Sequence, residues 1–423
     1  MLDSVKRSAY KAILEEELQM ATGCTEPIAI AYCSARLRDL LGAMPERLKV
    51  EVSGNIIKNV KSVVVPNTKG QKGINVAVAA GIVAGDTGKI LQVISSIPQE
   101  KQKEIALYAK STPMEVLCMD TDRMLEIRIT GYCGPNKAIV HIANNHSNIV
   151  YERLNGTVLK SLPISDSAED NLQDKSVLNI EDIVDYANTV PLEEVQELLQ
   201  RQIRCNCAIA EEGLKNNWGA NIGKTLLRYS GGDFAGEARA YAAAGSDARM
   251  SGCELPVVIL SGSGNQGITA SLPVVRYARH INADMGQLYR ALLISDLVTI
   301  HQKTGIGRLS AYCGAVSAGC GAGAAIAYLS GADSATIGQT VVNAVAILSG
   351  MICDGAKPSC AAKIAMAVEA GIMAYEMCLN GSKFCGGDGI VGDTVESTIA
   401  NVGLLARQGM RETDKTILQI MTK

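Results

Sequence analysis

The spacing of apolar residues predicts two helices at the start of the chain. Residues 4–20 and residues 28–41 carry apolar side chains at helical intervals. The break between them has the sequence ATGCTEP, at residues 21–27. Pro27 suits the first turn of the second helix, because the N–H that proline lacks would be unpaired there anyway. The chain is therefore expected to begin with two helices joined by a short turn that contains Cys24.

Beyond the second helix the apolar period changes from helical to alternating. The segment LKVEVSGNIIKNVKSVVVP (residues 48–66) alternates and is rich in Val and Ile, and residues 114–156 form a second alternating series. Both segments predict strands with turns. Helical spacing returns at residues 74–84 and 98–109. Strands mixed with helices predict an α/β sandwich region, which we place at residues 46–165.

The rest of the chain has a helical pattern after a polar linker at residues 161–176. Many of the 41 glycines fall in the last third, which suggests closely packed helices. The predicted fold class is α+β, with N-terminal helices at 1–45 that pack with the helical region, the α/β region at 46–165, and a Gly/Ala-rich helical region at 175–423. The predicted helices of this last region are residues 180–187, 192–216, 233–243, 264–280, 284–304, 309–330, 334–353, 359–379 and 391–409.

Charge and composition argue against two classes of partner. The formal net charge is −3 and there is no basic run, which argues against nucleic acid, because phosphate binding needs clustered Lys and Arg. Residues 309–332 and 334–353 have the length of membrane spans but are rich in Gly, Ala, Ser and Thr. They therefore predict buried helices rather than membrane spans. Such helices are also compatible with a homodimer, and a small amino acid is the other partner that we expect.

The cysteine count bears on the cellular compartment. Thirteen cysteines is an odd number, so complete internal disulfide pairing is impossible. The N-terminal residues mix acidic and basic side chains and contain no apolar core of a signal peptide. We therefore expect a cytoplasmic protein with reduced thiols, whose cysteines bind a metal, act in catalysis or are simply buried.

Three cysteines of the helical region form the sharpest chemical pattern. Cys313 lies at the start of an apolar helix, and Cys353 and Cys360 bracket the turn CDGAKPSC between two helices. Thiolates suit iron–sulfur clusters and zinc, and a position at a helix start is expected to lower the pKa of a thiol. Three buried packing cysteines explain the same spacing equally well. Cys320 and Cys385 are alternative ligands.

Further polar positions suggest a substrate site. Cys24 precedes a helix N-terminus, whose dipole is expected to raise the thiolate fraction, although a turn cysteine beside a capped helix fits the same pattern. The Gly- and amide-rich segment at residues 53–59 (SGNIIKN) follows a predicted strand, and the one at residues 261–267 (SGSGNQG) follows an apolar run and opens a predicted helix. The backbone N–H groups of the second segment are suited to holding a carboxylate. The alternative for each segment is a tight turn.

Five segments together resemble the L-cysteine desulfidase family. They are GCTEP at residues 23–27, SGNIIKN at 53–59, SGSGNQG at 261–267, LSAYCGA at 309–315 and SGMICDGAKPSC at 349–360. That family is related to the iron–sulfur L-serine dehydratases through their α-domain. The resemblance spans nearly the whole chain and keeps the order of the motifs.

The resemblance implies a set of site residues. Cys313, Cys353 and Cys360 are similar to the three ligands of a [4Fe–4S] cluster, and Cys24 is similar to the active-site thiol of the desulfidases. The SGSGNQG loop is similar to a segment beside the substrate in serine dehydratases. The residues expected to bind the amino-acid substrate are Asn55, Lys58, Asn59, Asn265, Gln266 and Gly267.

The implied reaction is the β-elimination of L-cysteine to sulfide, ammonia and pyruvate, with Cys24 as the base and an open iron that binds the substrate sulfur. The alternatives are an iron–sulfur L-serine or L-threonine dehydratase and a non-catalytic iron–sulfur sensor. The short CDGAKPSC interval differs from the longer one of the dehydratases, and a C-terminal cysteine is absent. Both differences favour a carbon–sulfur lyase.

Overall fold

The structure is a computed structural model that describes residues 2–121, 123–164, 173–230, 232–307 and 310–422. The predicted boundary of the α/β region at residue 165 and the predicted helix start at residue 309 lie outside the described residues. The chain has a mixed α+β fold in which a small sheet region is followed by a mostly helical region, so the predicted fold class is confirmed.

The first elements follow the predicted pattern closely. Helix α1 spans Ser4–Glu17, strand β1 spans Met20–Thr22, and helix α2 spans Thr25–Leu41. The side chain of Asp3 caps α1 by accepting a hydrogen bond from the Lys6 amide at 2.8 Å. Strand β1 lies in the turn that the sequence predicted between the two helices, and it leads directly to Cys24.

A six-stranded sheet forms the centre of the α/β region. Its order is β3-β2-β4-β5-β6-β7, and every pairing is antiparallel except that of β2 with β3. Helix α2 packs on β4 and β5 and against α4. The strands and helices of this region are β2 Arg47–Val52, α3 Gly54–Val60, α4 Ile74–Ala84, α5 Gln99–Ser111, β3 Met114–Cys118, β4 Glu126–Cys133, β5 Asn136–Ala143, β6 Ile149–Leu154 and β7 Thr157–Ser161.

The strand prediction for residues 48–66 is correct only for β2. The SGNIIKN segment forms α3 instead. Ile56 and Val60 lie four residues apart and are both fully buried, which is the spacing of one helix face. The run of Val and Ile therefore follows a helical period over this stretch, and the short segment was too brief to distinguish the two periods.

The remaining described residues are almost entirely helical. One short strand, β8 (Pro256–Val258), pairs antiparallel with β1. Helices α8 and α16 were not predicted, and the helix predicted at 334–353 ends at Leu348. The helices are α6 Ile180–Thr189, α7 Gln196–Lys215, α8 Ile222–Tyr229, α9 Phe234–Met250, α10 Gly264–His280, α11 Met285–Ile306, α12 Gly314–Leu329, α13 Ser334–Leu348, α14 Cys360–Leu379, α15 Val395–Leu404 and α16 Arg411–Thr422.

The two N-terminal helices contact different parts of the molecule. In α1 the Tyr10 ring packs on the Tyr186 ring of α6, with ring centroids 5.2 Å apart, whereas α2 packs on the sheet. Strand β1, which lies between α1 and α2 along the chain, pairs with β8. The division of the chain into three regions stays a prediction, and its N-terminal part bridges the sheet and the helices.

The two long uncharged runs lie mainly in α12 and α13. Their small residues are buried in the core that these helices share with α11 and α14. Across the part of the chain that the structure describes, no helix has both the length and the apolar character that a membrane span requires.

Glycines bring α12 and α14 into backbone contact. A Cβ at Gly319 would lie 2.2 Å from the Ala367 carbonyl oxygen, and a Cβ at Gly323 would lie 2.5 Å from that of Gly371. The equal four-residue steps on both helices mean that α12 and α14 run parallel. Their N-terminal ends, and with them Cys313 and Cys360, are therefore side by side.

We expect Gly371→Ala to lower the free energy of unfolding by about 3 kcal/mol, because the new methyl group would overlap the Gly319 backbone, which cannot move aside without separating the helices. Urea unfolding followed by circular dichroism would measure the change. Gly338→Ala in α13 is the matched control, since its methyl group would meet the side chains of Val395 and Ile180 at ordinary distances of 3.5–3.9 Å. Equal stability of the two variants would contradict the close contact.

Candidate active site

An antiparallel bridge brings Cys313 and Cys353 together. Tyr312 pairs with Ile352 in this bridge. The Cys313 amide donates to the Met351 carbonyl oxygen at 3.1 Å, and the Cys353 amide donates to that of Ala311 at 2.6 Å. Cys313 then occupies the N-cap of α12. Backbone hydrogen bonds thus hold the two cysteine segments next to each other.

Cys360 is the first residue of α14 and ends the CDGAKPSC turn. Gly355 adopts a left-handed conformation with φ of 95°, and a Cβ there would lie 2.4 Å from the Lys58 carbonyl oxygen of α3. Lys363 of α14 donates to the Asp354 carboxylate and to the Ile352 carbonyl oxygen. The turn is therefore held between α3 and α14, with a glycine where the backbones approach.

Cys24 is the N-cap residue of α2 and is 1% exposed. Its sulfur lies 3.7 Å from the sulfur of Met250. The next residue, Thr25, donates its hydroxyl to the Gly262 carbonyl oxygen at 3.0 Å. This bond and the pairing of β1 with β8 join the GCTEP turn to the SGSGNQG loop.

All four of these cysteines line one cavity of about 100 Å³. Four helices begin at its wall, and the first residues of α2, α12 and α14, together with Ser263 before α10, contribute to the lining. Helix N-termini carry partial positive charge and unpaired N–H groups, which favour anions. The cavity therefore combines four thiols with a field that stabilises negative charge.

The predicted lowering of the cysteine pKa values is wrong for three of the four thiols. Burial raises the pKa of Cys24 and of Cys313 to about 12, and burial raises that of Cys360. The neighbouring Cys353 raises the pKa of Cys313 further. Desolvation of a thiolate outweighs the helix dipole here. Cys313 and Cys360 would become thiolates on binding a metal, as cysteine ligands do.

Of the residues predicted to bind substrate, Asn59, Asn265 and Gln266 line the cavity, whereas Asn55, Lys58 and Gly267 do not. Gly267 is buried in α10, where a Cβ would lie 2.0 Å from the Val258 carbonyl oxygen.

Asn55 and Lys58 serve a different contact. Asn55 donates to the Asp414 carboxylate of α16 at 2.9 Å, and the buried Lys58 forms an ion pair with the same carboxylate. Lys58 also donates to the Cys353 carbonyl oxygen at 3.4 Å. These residues connect α3 and α16 to the cysteine turn from behind the cavity.

We expect Lys58→Met to lower the free energy of unfolding by about 2 kcal/mol and to leave the KM of the substrate unchanged, because Asp414 loses its cation away from the cavity. Thermal unfolding and steady-state kinetics would measure both quantities. Lys415→Met, at an exposed ion pair of α16, is the control. The double variant Lys58→Met, Asp414→Leu should recover part of the loss. A large rise in KM would instead indicate that Lys58 binds the substrate.

The cavity also contains charged residues that the sequence did not indicate as site residues. Glu26 is buried, and Asn59 donates to its carboxylate at 3.2 Å. Its pKa is lowered although burial opposes the shift, because His146 and Arg249 favour the charged form. Arg249 and Lys363 also line the cavity. Glu26 belongs to the GCTEP motif and could have been predicted as a site residue from it. Arg249 belongs to no such motif, and the apolar pattern of its helix does not indicate that it reaches the cavity.

The donor set fits a polynuclear cluster better than a single ion. Within the described residues, no group of three or more His, Cys, Asp or Glu side chains is placed to hold one metal ion. A cluster spans several ångströms, so its thiolate ligands need not converge on one point. Three thiols that line one cavity beside helix N-termini are ligands of the type that iron–sulfur clusters use, and they would leave one iron of a four-iron cluster without a protein thiolate.

The alternative ligands Cys320 and Cys385 do not line this cavity. Cys320 is buried in the middle of α12. Cys385 is exposed and lines a separate groove of about 750 Å³ beside α6, α13 and α15. None of the other predicted site residues lines that groove.

Fold and cavity together define a class of protein: a mixed α+β chain whose helical region presents three cysteines to a buried, anion-favouring cavity. Residues 89–419 match the family described as serine dehydratase alpha chain. The chain belongs to this family, which comprises iron–sulfur-dependent lyases.

Full-length relatives support the assignment. A UPF0597 protein of Desulfitobacterium hafniense is 53% identical over 412 residues, which cover 97% of this chain and 96% of that protein. UPF0597 proteins of Treponema denticola and Lachnoclostridium phytofermentans are 46% and 49% identical, covering 100% and 97% of this chain and 99% and 98% of their own lengths. The likeness therefore includes the N-terminal turn with Cys24 as well as the helical region.

Proposed function

We propose that this protein is an L-cysteine desulfidase, which eliminates sulfide from L-cysteine and leaves pyruvate and ammonia. The observation that carries the proposal is the convergence of Cys24 with Cys313, Cys353 and Cys360 on one cavity. The last three residues would hold a [4Fe–4S] cluster. When bound, a cluster with one iron free of protein thiolate supplies a Lewis acid that makes sulfide a better leaving group.

The protein's own residues supply the proton chemistry. Cys24 is our proposed acceptor of the substrate α-proton, since it lies at the start of α2 on the cavity wall. Burial raises the pKa of Cys24, so its thiolate is a strong base once formed, and the nearby Arg249 charge favours that thiolate. Loss of the α-proton and of sulfide leaves aminoacrylate, which tautomerises and hydrolyses to pyruvate and ammonia.

Family membership favours a second candidate, an L-serine dehydratase that eliminates water from the hydroxyl analogue. The same cavity and the same proton acceptor would serve both reactions, because the substrates differ only in the leaving group. A cysteine substrate is supported by the resemblance of the five sequence segments to the desulfidases, and by the short CDGAKPSC turn.

One anaerobic experiment separates these functions. The protein is reconstituted with iron and sulfide, desalted, and assayed for sulfide and pyruvate release from L-cysteine and for pyruvate release from L-serine. We expect a broad visible absorption band and equal yields of sulfide and pyruvate from L-cysteine. Turnover of L-serine alone would replace the proposal by the dehydratase, and a cluster without turnover of either would favour a sensor.

We also propose a cytoplasmic location. Every one of the thirteen cysteines is free, including the pair Cys313 and Cys353 on adjacent strands of the bridge. A reducing compartment keeps such thiols available as ligands. Fractionation of cells that express a tagged protein would test the location.

A further inference from the structure

We propose that Arg249 is the receptor for the α-carboxylate of the substrate, an inference that rests on the proposed function only in taking the substrate to be an amino acid. Arg249 lies near the end of α9 and lines the cavity between Cys24 and the SGSGNQG loop. Nothing in the local sequence distinguishes it from the other arginines of the chain.

The guanidinium of Arg249 is buried but largely unpaired. The residue is 3% exposed, and of its five N–H donors one is used, in a bond from Nη1 to the Asn265 side-chain oxygen at 3.2 Å. Its Nε is buried and has no acceptor, and among the described residues no carboxylate forms an ion pair with it. Glu26 is near enough to interact electrostatically with this cation but does not bond to it, so the free N–H donors of the guanidinium remain available to an anionic ligand.

The structure makes room for this guanidinium at the first turn of α10. A Cβ at Gly264 would lie 2.3 Å from the Arg249 Nε and 2.7 Å from its Cζ. Asn265, the next residue, accepts the single hydrogen bond of the guanidinium. The SGSGNQG loop thus fixes the Arg249 side chain. Gly264 lacks a side chain at the point where the guanidinium passes.

An unpaired acceptor lies across the same cavity. Gln266 is 4% exposed, and its side-chain oxygen is buried without a donor. A Cβ at Gly314, next to Cys313, would meet the Gln266 amide group at 2.6–3.0 Å. An unpaired donor at Arg249 and an unpaired acceptor at Gln266 match the carboxylate and the ammonium of an α-amino acid. A planar guanidinium suits a carboxylate because it binds both oxygens at once.

The other cations that line the cavity are Lys303 and Lys363, and both already have partners. The ammonium of Lys363 also lines the cavity, but it is bonded to the Asp354 carboxylate and the Ile352 carbonyl oxygen. Glu26 accepts a hydrogen bond from Asn59. A purely electrostatic role of Arg249, in balancing the charge of Glu26 or Cys24, is the alternative that the experiment must distinguish.

The test measures binding without chemistry. L-Alanine has no leaving group, and L-alaninamide replaces its carboxylate by a neutral amide. Calorimetric titration of the reconstituted holoenzyme should give about 100-fold tighter binding of L-alanine than of L-alaninamide, the effect of one charged bidentate pair. In Arg249→Met this preference should fall to a few-fold at most, and Arg249→Lys should retain part of it.

Two further variants sharpen the result. Arg239→Met lies on the same helix at an ion pair with Glu369 and should keep the full preference. Gly264→Ala keeps the charge but displaces the guanidinium, so it should lose most of the preference. Arg249→Met should still fold and bind the cluster, which thermal unfolding and the visible absorption spectrum would show, so that a lost preference is not the result of misfolding.

The outcomes separate this inference from the proposed function. Retention of the wild-type preference by Arg249→Met, or lack of any preference in the unaltered protein, would overturn the carboxylate assignment and leave the electrostatic role. Loss of the preference in Arg249→Met, combined with no sulfide release from L-cysteine by the unaltered protein, would support Arg249 and reject the desulfidase.

Discussion

Cys313→Ser, Cys353→Ser and Cys360→Ser should each abolish stable cluster binding and lower turnover by about 10³-fold or more. Changes to residues behind the ligands of a metal site cost roughly 10- to 100-fold, and loss of a ligand itself should exceed that. Serine keeps the size of the side chain but offers a poor ligand for iron at neutral pH. Since all three thiols line one cavity, we expect the three variants to behave alike.

Iron and acid-labile sulfide per chain, together with the visible absorption spectrum, would measure the cluster directly. Cys320→Ala, on the same helix as Cys313, and Cys385→Ser, in the separate groove, are the controls and should retain it. A variant among the three that binds a full cluster would remove that residue from the ligand set. Loss of the cluster in Cys320→Ala without loss of folding would restore Cys320 as a ligand.

The second large effect is expected at Cys24. Cys24→Ala should retain the cluster and lower kcat by about 10²- to 10⁴-fold, the usual contribution of a positioned acid or base. The alanine variant leaves α2 intact, because the Cys24 side chain makes no capping hydrogen bond. Single-turnover release of sulfide under anaerobic conditions would measure the effect. Cys118→Ala, at an exposed thiol of β3, is the control.

Glu26→Gln provides the decisive comparison for Cys24. Glu26 lines the same cavity, and its lowered pKa keeps it ionised at neutral pH, so it is the other group able to accept a proton there. We expect Glu26→Gln to reduce turnover less than Cys24→Ala does. The reverse order, with full activity in Cys24→Ala, would transfer the role of base to the carboxylate.

The elements of the helical region were largely predictable because their apolar periods are long. The predicted helix at residues 264–280 coincides with α10, and the prediction for residues 359–379 differs from α14 by one residue. Short segments were less reliable. The seven residues of α3 were predicted as strand and turn, and α8 and α16 were missed, since a helix of two or three turns gives few periods to detect.

For the site, the sequence by itself determined the types of chemical group: three cysteines in two segments of the helical region, one more before α2, and amide-rich loops that resemble those of a known family. Only the tertiary structure decided which of these groups meet. The parallel packing of α12 on α14 and the bridge at Tyr312 join residues about 40 to 50 positions apart, and the pairing of β1 with β8 joins residues more than 200 positions apart.

The tertiary structure also decided the electrostatics. Local position predicted lowered cysteine pKa values, but burial raises the pKa of Cys24, Cys313 and Cys360. Lys58 belongs to the predicted motif yet pairs with Asp414, whereas Arg249 lies outside every motif and reaches the cavity unpaired. Desolvation and charge pairing depend on all the groups that surround a side chain in space, and the order of residues along the chain does not contain that information.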